Sequence, residues 1–492
     1  MKRTYLNIPA LALAGLITVG GTVGCKKAFD FTGADDNPYI ATQPVTRNLL
    51  TQAIRSVPST VNDATGALYA QHLAEVQYTD ASRFITVNFS YAGFYQGPLL
   101  NLETIIKLNS DPATASSANV LSGGSNANQI AAARILKAFF FFHITNRWGD
   151  IPYTEALKQG GNLTPKFDTQ QEVYNALFKE LKEASAQFDG GATLQGDILF
   201  SGNVTRWRQF ANSLRLIMAL RLSKADAAKG KAEFIEAQTA AGGLVTTSAQ
   251  NINYAFLSET ANQNQWYARY LTRFDYAISK PLLDYMESVA DPRIPAFADK
   301  PTNGNANYVG MPYGLSNTSG IANNSVSYIA TNLRRINSPE FIITAAHVLF
   351  TLAEGEKLGW NAAGTADETK AANYYRQAIE QSMRQYGVFT QAAYDDYMTK
   401  AEVAYTAADA LRKIGYQRWI ALYLNGMEAW NEWRRTGFPV LSPGPAPLNN
   451  GGQIPRRQGY ATAERDLNGS NYQAVVARQG PDELNTRIWI DK

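Results

Sequence analysis

Two carboxylates stand four residues apart in Glu428-Ala429-Trp430-Asn431-Glu432-Trp433-Arg434-Arg435. On a helix, positions i and i+4 share a face, and paired acids are what glycoside hydrolysis needs for its acid and its base or nucleophile. Glycosidase acids, however, usually reach a cleft from different elements. With Trp430 and Trp433 placed to pack, the segment reads as a structural helix whose Glu428, Glu432, Arg434 and Arg435 form ion pairs. Other reactive side chains are scarce. His72, His143 and His347 are scattered, His143 lies beside the run Phe139 to Phe142, and Val348, Leu349, Phe350 and Thr351 follow His347, so no HExxH zinc motif exists. No GxSxG elbow, Walker loop or GxGxxG turn occurs either. No catalytic residue, metal site or cofactor is expected, and the chain does not read as an enzyme.

What the chain has in quantity is flat aromatic surface: 26 Tyr, 22 Phe and 8 Trp against one Cys and three His in 492 residues. In Asn262-Gln263-Asn264-Gln265-Trp266-Tyr267-Ala268-Arg269-Tyr270, amides alternate with Trp266, Tyr267 and Tyr270 in a polar setting. Tyr308 and Tyr313 fall in another long polar stretch, and Tyr91, Phe94 and Tyr95 lie nearer the N-terminus. A sugar ring has an apolar CH face that stacks on an aromatic and hydroxyls that pair with amides, carboxylates and guanidinium groups. Any one of these residues reads slightly more readily as a helix-end aromatic covered by a loop; as a group they point to a ligand with flat faces, sugar or peptide. The formal net charge of +3, with 18% charged residues, supplies no general field for nucleic acid.

The single cysteine has a different assignment. Lys2 and Arg3 precede an apolar run from Ile8 to Val23, too short and too interrupted by Pro9 and glycines for a permanent membrane span of about 20 residues. A basic start, an apolar run and small residues describe a secretory signal. Thr22-Val23-Gly24-Cys25 ends it as a bacterial lipoprotein signal ends, so residues 1–24 are expected to be removed and Cys25 lipidated. Residues 25–44 then form a tether, and residues 45–492 the folded body. With one cysteine, no disulfide can stabilise that body.

The elements that would position these groups are helical. Asp168 and Gln171 make a capping-box pattern ahead of Val173, Leu177, Leu181, Ala184 and Phe188. Trp207, Phe210, Ala211, Leu214, Ile217 and Met218 repeat the stripe. Ser338-Pro339 suits an N-cap and first turn, with Phe341, Ala345, Val348, Leu349 and Leu352 inward until Gly359. Further helices are expected over 366–386 and, as one unbroken element, over 413–435. Consecutive helices parted by Gly or Pro suggest stacked antiparallel hairpins, although no clean repeat of about 34 residues is present. Residues 111–128, 190–203, 260–265, 301–327 and 441–471 read as irregular polar loops, several of them long enough to build a binding face.

Seven ordered blocks resemble one family. They are Asn146-Arg147-Trp148-Gly149-Asp150-Ile151-Pro152-Tyr153-Thr154-Glu155-Ala156-Leu157, Phe167-Asp168-Thr169-Gln170-Gln171-Glu172-Val173-Tyr174, and Gly196-Asp197 with Trp207-Arg208-Gln209-Phe210-Ala211-Asn212-Ser213-Leu214-Arg215-Leu216. Asp291-Pro292-Arg293, Ala353-Glu354, Tyr416-Gln417-Arg418-Trp419-Ile420-Ala421-Leu422-Tyr423 and Glu432-Trp433-Arg434-Arg435-Thr436-Gly437-Phe438-Pro439 complete them. From Cys25 to Lys492 the chain resembles the SusD/RagB-type nutrient-binding outer-membrane lipoproteins. The resemblance implies an all-α scaffold with tetratricopeptide-like helix pairs and irregular loops forming the ligand face. It implies a cell-surface lipoprotein that binds a glycan, or in some members a peptide. It further implies delivery to a SusC-like TonB-dependent outer-membrane barrel, on which the protein acts as a lid without catalysing a reaction. The blocks are chiefly scaffold and do not name the ligand.

Overall fold

The computed structural model describes residues 44–492. The expected signal over 1–24, Cys25 and all but the last residue of the tether lie outside them. Val45–Lys492 form one unit, 53% helix and 5% strand, which is the all-α class expected. Four pairs of sequential helices supply its frame. Asn126–Trp148 packs on Gln170–Gln187, Val204–Arg221 on Ala227–Gln238, Ala345–Lys357 on Glu368–Gln385, and Ala410–Ala421 on Gly426–Thr436. Val204–Arg221 also touches Gln170–Gln187 and Ala345–Lys357, and the latter touches Ala410–Ala421, so the pairs stack. Asn126–Trp148 is buried on nearly every side along its second half, which is why Phe139, Phe140, Phe141 and Phe142 can stand in a row with no polar face. Among the described residues no helix is long and apolar enough to cross a membrane.

Several boundaries differ from those the sequence suggests, each for a local reason. The capping box before Gln170–Gln187 is Thr169 with Glu172, one residue later than Asp168 with Gln171. Asp168 is drawn off to the preceding loop, where its carboxylate accepts the Tyr153 and Thr154 amides at 2.9 and 2.7 Å. Ser338-Pro339 does not open a helix. Glu340–Ile343 is a strand, paired antiparallel with Ile252–Tyr254 through Ile252↔Ile343, Asn253↔Phe341 and Tyr254↔Glu340. The helix begins after Thr344, whose hydroxyl caps the His347 amide. A second small sheet pairs Leu73–Glu75 with Tyr276–Ile278.

The helix expected over 413–435 is two, Ala410–Ala421 and Gly426–Thr436, parted at Leu424, whose φ is +67°. The break brings Gly426 against the helix Ala64–Tyr69. A Cβ on Gly426 would sit 2.1 Å from the Ala67 nitrogen, and one on Gly66 would sit 2.5 Å from the Met427 nitrogen. Two backbones therefore meet with no side chain between them, a contact that only glycine permits at both positions. Of the expected loops, 190–203 and most of 301–327 are irregular, whereas 111–128 contains Ala118–Leu121 and 441–471 contains Thr462–Leu467.

Where the stacked helices converge, the core is ionic. Glu354 takes Arg418 at 2.7 Å and Arg435 at 2.6 Å; Glu432 takes Arg435 at 2.6 Å, Arg221 at 3.1 Å and Arg418 in a close contact; Glu428 closes on Arg221. All six side chains are buried. Burial opposes their charge, but Arg435 and Arg418 hold the Glu354 carboxyl below the usual range, and Arg435, Arg221 and Arg418 hold Glu432 well below it. Arg434 departs from the expected pairing, because its guanidinium donates to the Arg456 and Asn146 carbonyls at 2.5 and 2.6 Å rather than to a carboxylate.

A second core lies under the loops, where Trp266, Trp419, Trp430, Tyr69 and Phe84 are buried around the Leu73–Glu75 sheet. Two expectations follow. Glu432→Ala leaves three buried guanidinium groups to share the two carboxylates of Glu354 and Glu428 and should lower stability by about 3–5 kcal/mol, measured by chemical denaturation. Trp266→Ala opens a cavity in the second core and should cost about 3–5 kcal/mol in the same measurement.

Candidate ligand-binding site

The described residues form a surface cleft of about 490 Å³ from three separate segments. This is within the usual size of small-molecule sites. One wall is the turn from Tyr91 to Leu100, a short helix that widens into a π-turn at Tyr95–Leu99 around Pro98. The α-helical turn Ala92–Phe94 sets Tyr91 and Tyr95 on the same side, ring centroids 5.3 Å apart, with Trp148 packed perpendicular to Tyr91. The Tyr95 hydroxyl donates to the Pro152 carbonyl at 2.6 Å, fastening this wall to the next.

The second wall is the loop after the Trp148-Gly149-Asp150 block, contributing Pro152, Leu157, Lys158, Asn162 and Leu163. Asp168 anchors its start, and Glu155 holds its return by accepting the Asn162 side chain at 2.9 Å and the Lys166 amide at 3.1 Å. The third wall is Ala463, Glu464, Leu467 and Asn468. Asn468 donates to the Pro165 carbonyl at 2.8 Å and so ties it to the loop. The polar centre of the cleft is Glu464 with Tyr91. Burial raises the Glu464 carboxyl above its ordinary range, against the hydrogen-bonding pull of Tyr91 and Asn468. Burial and then the Glu464 charge push the Tyr91 hydroxyl well up. At the rim, Leu163 and Leu467 are 82% and 77% exposed.

The structure brings Tyr91 and Tyr95 together in this cleft and disperses the other aromatic candidates. Trp266 is 1% exposed, with the Arg269 guanidinium 4.7 Å from its ring and its indole N–H unpartnered. Tyr267 is half-buried on the same short helix. Tyr270 is buried, its hydroxyl donating to the Tyr276 carbonyl. Tyr313 is buried too, donating to the Leu68 carbonyl at 2.8 Å. Tyr308 lines a different cleft of about 410 Å³ with Lys280, Asp284 and Glu287, and has the Lys300 ammonium 5.6 Å from its ring.

Sequence reasoning missed Glu464 and Leu467, because Ala463-Glu464-Arg465-Asp466-Leu467 reads as an ordinary solvated helix and nothing local brings it beside Tyr91. It also missed the exposed Tyr78 and the partly exposed Phe274. Tyr78, 71% exposed, has Arg273 5.2 Å from its ring, and Phe274 sits 5.1 Å from Tyr328 and 5.2 Å from Tyr270. Positive φ at Tyr78 (+54°) turns its side chain outward, and no sequence pattern signals that conformation.

The groups with potential for covalent or metal chemistry are elsewhere and already occupied. His347 lies with Glu428 and Glu432 in a cluster able to hold a metal ion, but both carboxylates are taken by arginines and His347 Nε2 is 3.8 Å from Glu428. The i, i+4 acids therefore face a cation network and no cleft, and Glu432, held ionised, cannot serve as a general acid. His72 is buried with Nε2 at 2.9 Å from the Trp419 carbonyl, and His143 is buried among Phe139 and Phe142.

Comparison with known proteins agrees with this picture of a binding scaffold. Residues 37–461 match the family model SusD-like_2, described as starch-binding and associating with the outer membrane. A chitin-binding protein of known structure is 27% identical over 91% of this chain and all of its own, with a TM-score of 0.77. A SusD homologue from Bacteroides uniformis (24%, 92% of this chain, all of its own, TM-score 0.77) shares the fold, as does a chitin-binding SusD homologue from Flavobacterium johnsoniae (23%, 91% of this chain and 98% of its own, TM-score 0.71). No curated protein gives a match. With most of its length matched by the family model, the chain belongs to the SusD-like family of outer-membrane-associated nutrient-binding proteins.

Proposed function

We propose that this protein is a cell-surface lipoprotein that captures a glycan and passes it to a TonB-dependent outer-membrane barrel, for which it serves as the lid. The observation that carries the reading is the three-walled cleft, where two adjacent tyrosines and apolar rim residues surround a few polar groups. That combination suits a sugar, whose CH face stacks on a ring while its hydroxyls meet Glu464, Asn468 and Gln96. Family membership and the chitin-binding relative support a glycan over other ligands. The exposed Tyr78 and the Phe274–Tyr328 pair offer further ring faces to a long polymer. Trp266, Tyr267, Tyr270, Tyr308 and Tyr313 belong to this reading as supports or outer contacts of that loop face.

Anchoring through Cys25 gives the mechanism its economy. Lipid at the end of a tether of about 20 residues keeps the body beside the membrane, so re-closure over a barrel is an intramolecular event at high effective concentration. Modest affinity from stacking and a few hydrogen bonds then favours hand-over rather than retention. The cation-saturated acids in the core have no part in this, which is consistent with a binding protein that performs no chemistry.

Two measurements test the reading. Tyr95→Ala should weaken binding of the best polysaccharide found in an array screen by about tenfold, equivalent to ~1.4 kcal/mol, in titration calorimetry; unchanged affinity would remove the cleft from the site. Cys25→Ser should abolish incorporation of labelled fatty acid, move the protein out of the membrane fraction and stop a large barrel co-purifying with it. A Cys25→Ser protein that stays membrane-bound would contradict the anchor.

A further inference from the structure

Glu464 is the carboxylate lining the cleft on which no cationic group acts. Glu155, the other acid there, is held by Asn162 and the Lys166 amide, with the Lys158 charge nearby. On Glu464 the acting groups are burial, Tyr91 and Asn468, none of them cationic. Beside it the Tyr91 hydroxyl, 4% exposed, has Glu464 as its polar neighbour and no other hydrogen-bond partner among the described residues. A half-buried carboxylate without a counter-ion is costly to keep, and a ligand cation that completes the pair recovers that cost. The tyrosine rings at 5.3 Å add faces to which an ammonium is attracted.

We infer that the cleft selects sugar units carrying a free amine, with the ligand ammonium seated between the Glu464 carboxylate and the faces of Tyr91 and Tyr95. The Tyr91 hydroxyl then acts toward a neighbouring ring hydroxyl or the glycosidic oxygen. This inference rests on the glycan reading above and adds the chemistry of the preferred unit. The overall charge does not produce such a preference: a formal +3 over 492 residues supplies no general field, so selection has to be local.

Three β-1,4-linked hexamers that differ only at C2 separate the possibilities: glucosamine, N-acetylglucosamine and glucose. Calorimetry at moderate ionic strength should show the glucosamine oligomer binding at least tenfold tighter than the other two. Glu464→Gln, an isosteric change at a half-exposed position, should cut that ratio to near unity, with circular dichroism and thermal unfolding confirming that the variant is folded. A wild-type protein that binds the acetylated or neutral hexamer as tightly as the amine, or a variant that keeps the preference, overturns the amine selectivity and leaves glycan binding standing. If none of the three hexamers binds and a wider array of neutral and acidic polysaccharides is also silent, the glycan reading itself falls, and the amine selectivity with it.

Discussion

The rest of the fold depends on a charge balance placed where charge is most expensive. Glu354, Glu428 and Glu432 face Arg221, Arg418 and Arg435 inside the scaffold, three against three. These six residues come from four helices, so the network sets how those helices meet more strictly than apolar packing could. Leucines can slide past one another at little cost, whereas a guanidinium fork shared between two carboxylates accepts a narrow range of distance and angle. The gain over a well-packed apolar core is small in free energy, and the penalty for losing any one member is large. Positional definition is what such a network contributes to the helical frame.

Much of this was legible in the sequence, and the reasons differ by residue. Val173, Leu177, Leu181 and Ala184 repeat at helical spacing and are buried as that spacing requires. Glu428 and Glu432 share a helix face, and ion pairing was the favoured reading over catalysis, although their partners Arg221 and Arg418 come from other helices and could not be named. The Ser338-Pro339 signal failed because a cap preference is local and weak, while pairing of Glu340–Ile343 with Ile252–Tyr254 is a tertiary gain that overrides it. The break at Leu424 was hidden for a similar reason: apolar spacing continues across it, and only the close approach of Gly66 demands it.

The cleft was harder to read than the scaffold. An indole in a polar segment looks like a platform, yet Asn264 caps the short helix and turns Trp266 inward. Conversely, Glu464 looks solvated in sequence and becomes half-buried only when its segment crosses the loop of Pro152 to Pro165. Tyr91 and Tyr95 were recoverable because their closeness is local, set by one turn of chain. A site assembled from three distant segments leaves just that fraction of itself in any one stretch of sequence.

The seam between Gly66 and Gly426 bears on how such a protein diversifies. Because two main chains touch there directly, the short helix Ala64–Tyr69 and the last helical pair are registered like machined surfaces with no gasket between them. The segment that follows Tyr69 leads into Leu73–Glu75 and on to Tyr78, so the exposed Tyr78 inherits its position from that joint. The loops 301–327 and 441–460 reach this joint through hydrogen bonds: the Tyr313 hydroxyl donates to the Leu68 carbonyl and the Trp430 indole to the Pro455 carbonyl. A change of loop that keeps these two bonds leaves the mounting as it is, whereas one that removes either acts on the frame as well as on the surface.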